Sequence, residues 1–159
     1  MEIEQRLDAM GLRLPDSMKS PPGLKIPFAW VRVRGSRAFV SGHGALHADG
    51  SPAGPFGKVP TEVSLEQAQE SARLATLSIL SSLKAELADL DRVAAWLMVN
   101  GFVNAEPGFP HTTAVLNPLS DLIVDLYGME AGAHARTAIG VATVPLNLPV
   151  VIAAEVEIS

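Results

Sequence analysis

Leu65, Ala68, Ala72, Ala75, Ile79, Leu83 and Leu87 recur every three or four residues. A stripe of about six helical turns made this way can be buried only against a flat apolar partner. Ser64 opens it, and Gln67 three residues later completes the pairing of a capping box. The partner follows in the chain. From Val93 to Val103 the run is too apolar for a strand with one wet face, so it reads as the central strand of a sheet. A β-rich run from Phe28 to Arg34, a turn at Gly35-Ser36 and a return over Arg37 to Ser41 predict a hairpin. A second helix is expected from about Pro110 to Tyr127, with Leu116, Leu119, Leu122, Ile123 and Leu126 on one face, Pro118 constraining its first half and Gly128 ending it. Two strands close the chain, Arg136 to Val144 and Pro149 to Ile158, joined by Pro145-Leu146-Asn147-Leu148. The order β-β-α-β-α-β-β describes an α+β fold, a two-layer sandwich with two helices on one face of a mixed sheet.

That arrangement leaves the other sheet face bare. Apolar residues make up 48% of the chain and charged ones 18%, which is little polar surface for a monomer, so self-association is the expected cover. At 159 residues the chain is expected to form a single domain. Residues 1–27 would supply a short helix (Ile3, Leu7, Met10, stop at Gly11) and an irregular proline-rich strap from Pro15 to Pro27, and residues 28–159 the core. The segment from Gly42 to Pro60 is long for a loop, a feature common at functional sites. A net charge of −5 with scattered Lys and Arg lacks the basic footprint of a nucleic-acid binder. Without cysteine there is no disulfide or thiolate chemistry. No signal-like N-terminus and no run near 20 apolar residues is present, so the expectation is a soluble cytoplasmic protein with no membrane partner.

Arg136 is the only cation in its strand. A guanidinium in an apolar layer costs several kcal/mol unless an anion answers it. Its planar fork suits bidentate pairing with a carboxylate, which could be a small organic acid or an Asp or Glu of the protein. Other constellations are weaker. The four histidines, His43, His47, His111 and His134, lack metal-ligand spacing, and no metal or cofactor is expected. The glycines between 42 and 57 lack the Lys-Ser/Thr of a phosphate loop, and Ser41 lacks a nucleophile elbow. Trp96 reads as core, and Asp89, Asp91 and Arg92 read as a solvated connection.

Phe39-Val40-Ser41-Gly42, the Ser64 helix, Leu97 to Val103, and Ala135-Arg136-Thr137-Ala138-Ile139-Gly140-Val141-Ala142 with Pro145 together resemble the Rid family, reactive-intermediate deaminases also called YjgF-like and labelled L-PSP endoribonucleases. The segments before Pro27 and from Asn117 to His134 resemble a longer subfamily. The resemblance implies a chorismate-mutase-like fold, a homotrimer with clefts between subunits, and hydrolysis of small enamines or imines to 2-oxo acids and ammonia. Arg136 would grip the substrate carboxylate, with Ser41, Asn117 and Ala138 as further contacts. Phe28 stands where active relatives carry an aromatic hydroxyl, and Val151 where they carry the glutamate that activates water. Neither side chain can transfer a proton. His43, in place of the family's glutamine, is the candidate substitute, because imidazole titrates near neutrality. Glu155 shares Val151's strand face but lies about 13 Å farther along. Three functions follow: imine hydrolysis, binding of a small carboxylate without catalysis, and RNA cleavage, which the acidic balance and the scarcity of base-stacking aromatics oppose.

Overall fold

The computed structural model describes residues 1–159. Its elements are α1 (Glu2–Ala9), β1 (Val31–Arg34), β2 (Arg37–His43), α2 (Leu65–Leu87), β3 (Val93–Asn104), α3 (Thr112–Gly132), β4 (Ala135–Val141) and β5 (Val150–Ile158). The strands form one mixed sheet in the order β1-β2-β5-β3-β4, parallel only between β3 and β4. No helix is long and apolar enough to cross a membrane.

The α2 cap forms as expected: Gln67 N donates to Ser64 Oγ at 3.1 Å and Ser64 N donates to Gln67 Oε1 at 3.0 Å. Ala68, Ala72 and Ala75 are completely covered, their small side chains letting the helix approach the sheet closely. Helix α3 needs a different device. A Cβ on Gly101 of β3 would lie 2.6 Å from Leu116, so α3 seats its leucine on a strand position that only glycine can leave open. Pro118 lacks the N–H that would bind the Ala114 carbonyl, and Gln69 Nε2 of α2 takes that carbonyl at 2.9 Å. Gly128 does interrupt the helix with φ 78°, but one more turn follows to Gly132. Leu116, Leu119, Ile123 and Leu126 are fully buried, each contributing about 1.5–3 kcal/mol. Trp96 lies in the same core at 2% exposure, edge-on to Tyr127.

Several boundaries move. The first strand begins at Val31 rather than Phe28, because Phe28 and Trp30 pack edge to face with centroids 5.2 Å apart and Trp30 leans on His43 at 5.0 Å. The fourth ends at Val141, the chain then turning toward Pro145. The Asp89–Arg92 connection is not merely solvated. Asp91 caps α1 from outside the helix, accepting from Glu2 N at 2.8 Å and Ile3 N at 2.9 Å, and binds the Met1 ammonium, which pulls its carboxyl pKa down to about 2.

Side chains of α2 and α3 cover one sheet face. On the other, Phe39 and Ile139 are 43% and 46% exposed, with Met98, Phe102, Val141 and Val151 partly covered, and Arg37 and Glu155 form an ion pair across it at 2.6 Å. The bare apolar face read from the sequence is present.

Candidate functional site

Strand β4 is an edge strand, and its residues are half-buried or exposed in this chain. Arg136 is therefore less deeply placed than an apolar layer would make it. In the register Val99 opposite Arg136 its side chain points to α3. Nη1 donates to Ser120 Oγ at 2.9 Å, and Nη2 donates to Asn117 Oδ1 at 3.0 Å and to the Thr113 carbonyl at 3.2 Å. Ser120 Oγ is also bonded to His134 Nε2 at 2.9 Å, and His134 Nδ1 to the Gly132 carbonyl at 2.7 Å, so the acceptor for Nη1 is itself held in place. Every oxygen on the guanidinium is neutral, and the protein carboxylate considered as its partner is not there. Partial burial lowers the Arg136 pKa, offset in part by the more distant charge of Asp121. The fork is thus aimed, partly desolvated and without a counter-ion.

The other predicted residues gather around β2 and the central strand β5. Between Val40 opposite Ala154 and His43 opposite Ile152, β2 advances three residues while β5 advances two. This bulge keeps Ser41 and Gly42 off the helix-facing side and turns His43 inward, which strict alternation would not do. Ser41 Oγ donates to the Ala29 carbonyl at 2.6 Å. Val151 lies against Gly42, where a Cβ would meet its Cγ1 at 2.8 Å. Phe28, Trp30, His43 and Val151 share the wall of one pocket with the strap.

His43 is 5% exposed, with Nδ1 2.5 Å from the Ser41 carbonyl and Nε2 2.8 Å from Ser82 Oγ. A carbonyl can only accept, so Nδ1 carries the proton and Ser82 donates to Nε2. The Nε2 lone pair faces the Ser82 hydroxyl, and the ring is too buried to offer it to a water in the pocket. Burial lowers the imidazole pKa, the Ser41 carbonyl opposing it. Above the ordinary value near 6.5 the ring is neutral folded or unfolded. As pH falls below that, the unfolded chain takes up a proton that the folded ring resists, so stability is lost until the folded ring also titrates. Urea denaturation between about pH 7 and pH 5 should show a shallower loss in His43→Gln than in the wild type; equal slopes would mean that the buried ring is not responsible.

Asn117 is thus brought to Arg136, and Ala138 lies two residues along the same face of β4, its carbonyl accepting from Thr112 Oγ1 at 3.0 Å. Phe28, His43 and Val151 line one pocket and Ser41 adjoins it. The two groups do not meet within one chain: β5 and β3 separate β2 from β4, roughly 14 Å at usual strand spacing. Ser120 was not singled out in the sequence, although Asn117 and Ser120 stand three apart on one helix face, and His134 was weighed there only as a metal ligand. The histidines do not converge; the carboxylates that do, Glu4, Asp89 and Asp91, lie beside the Met1 ammonium.

Fold and site together define a two-layer α+β protein with an aimed arginine on one sheet edge and an aromatic-walled pocket beside β2 and β5. No protein-family model matches the chain. Protein TCP17 of Trypanosoma cruzi is 35% identical over 143 residues, 86% of this chain and 89% of that protein. Among solved structures, Atu1372 of Agrobacterium tumefaciens, of unknown function, is 35% identical with a TM-score of 0.85 over 98% of this chain and 91% of its own. A candidate endoribonuclease of Shewanella oneidensis MR-1 is 26% identical with a TM-score of 0.85, covering 98% and 99%. The E. coli YjgF gene product shares the fold at a TM-score of 0.58 and 15% identity, over 90% and 97%. The chain is thus a relative of TCP17 and Atu1372, and its fold is the chorismate-mutase-like one of the YjgF-like proteins.

Proposed function

We propose that the protein binds small 2-oxo or 2-imino acids in clefts between the subunits of a homotrimer, with Arg136 gripping the carboxylate. The observation that carries this reading is the guanidinium held by three neutral oxygens with no anion. Nε–H and one N–H of Nη1 are left to donate to a carboxylate, and the arrangement lowers the cost of ordering the side chain when a ligand arrives. Asn117 orients the fork, and Ser41 and Ala138 are further contacts. The bare apolar face favours association. Subunits packed through it would also allow the arginine edge of one to approach the pocket of the next.

Imine hydrolysis is the second reading, favoured by the resemblance of the Arg136 and Ser41 segments to the Rid family. It requires a group that moves a proton to or from water, and Val151 cannot do so while the His43 ring is buried against Ser82. One pair of measurements separates the readings. Thermal-shift titration with 2-oxo acids should raise the melting temperature with the logarithm of ligand concentration above Kd, while ammonia release from freshly generated 2-aminoacrylate should not exceed the buffer rate. Rapid ammonia release would establish the deaminase instead, and a silent titration would reject carboxylate binding.

A further inference from the structure

The pocket beside β2 and β5 has a volume of about 420 Å³. That is inside the range of about 300–1,000 Å³ found for small-molecule sites, and a three-carbon acid would leave most of it empty. Met18, Leu24 and Ile26 of the strap form one wall, facing Trp30, Leu148 and Val151. Only two ionisable side chains border it. His43 is buried with both nitrogens bonded, and Lys25 is exposed at the mouth. A polar group pushed into the interior would find almost no partner, whereas an apolar one would bury surface left open at Leu24, Phe28 and Leu146. Phe28 and Val151, which cannot transfer a proton, add to this apolar lining.

We propose that the ligand of this site is an organic acid with a bulky apolar group, branched aliphatic or aromatic, whose apolar part occupies the cavity between the strap and strands β2 and β5 while its carboxylate stays outside with the cations. The inference rests on the carboxylate reading above and adds the class of tail. Trp30 supplies a direct reporter, since the only other tryptophan, Trp96, is sealed in the core at 2% exposure.

The full-length protein is titrated by calorimetry with pyruvate, 2-oxobutyrate and 4-methyl-2-oxopentanoate, and Trp30 emission is followed in parallel. Each methylene buried should tighten binding about fourfold, so the branched acid should exceed pyruvate on the order of fiftyfold. It should also perturb a fluorescence signal that Trp30→Phe removes. Val151→Glu places a charge in the wall and should narrow the ratio of the two affinities on the order of tenfold; if that variant does not fold, Ile26→Glu in the strap reads the same ratio. Equal affinity for small and branched acids with unchanged Trp30 emission would overturn this inference and leave the carboxylate reading standing. Failure of every acid to bind would remove both.

Discussion

Replacing Arg136 with alanine should weaken binding of 2-oxo acids by roughly tenfold to a hundredfold and remove most of the thermal stabilisation they confer. A hydrogen bond to a charged group contributes about 1.5–3 kcal/mol, which corresponds to roughly tenfold to a hundredfold in affinity. In a titration at about 100 times the wild-type Kd, the ligand adds about 2.7 kcal/mol; a hundredfold weaker variant would gain roughly 0.4 kcal/mol. The unliganded variant should lose little. Arg136 forms no ion pair in the chain, and its partial burial already disfavours the charge, so removal relieves a penalty while it deletes three bonds to neutral oxygens. Arg136→Lys should recover only part of the affinity, since an ammonium keeps the charge but not the planar fork. Persistent stabilisation in Arg136→Ala, measured by calorimetry and thermal shift, would place the acid somewhere else.

Gly50→Ala should be the most damaging single-methyl addition at the site. Gly50 has φ +86°, a conformation that a side chain strains, and a Cβ there would lie 2.1 Å from the Ser17 carbonyl oxygen. Backbone must move, and the backbone in question is the strap. Lys19 N donates to the Gly50 carbonyl at 2.8 Å and Asp16 N donates to the Ala48 carbonyl at 2.9 Å, so this loop carries the segment that walls the pocket. A loss of stability on the order of 3 kcal/mol is expected, together with weaker binding of any acid that uses the cavity. Denaturant unfolding gives the first quantity, and hydrogen exchange at the Asp16 and Lys19 amides shows whether the strap has come free. Gly35→Ala is the control. Its φ is +59° but nothing lies within 4 Å of the added carbon, so its cost should be confined to about 1–2 kcal/mol of backbone strain. Equal losses in the two variants would mean that the strap contact is not what Gly50 protects.

Element order was readable from the chain because its signals are local. Alternation, three-to-four spacing and the Ser64–Gln67 cap depend on neighbours within a few residues, so they located α2, β3 and the closing strands to within a few positions. Arg136 stood out for the same reason, as one charge in an apolar run. Less of the site was legible. Asn117 and Arg136 were both expected to contact the ligand, yet the helix face that joins them also brings Ser120 and, through it, His134, and no short-range pattern connects residues 120 and 134.

The covalent order of side chains thus determined a two-layer α+β fold, an apolar surface left without cover and an arginine set apart for recognition. Long-range register decided the rest. One extra residue on β2 relative to β5 turns His43 into the protein, a strap seated on a distant glycine closes the pocket, and the pairing of β3 with β4 rather than β2 keeps Arg136 apart from the residues of β2. Such features arise from pairing between segments far apart in the chain, and a one-residue shift in that pairing reverses which face a side chain occupies without changing any local pattern.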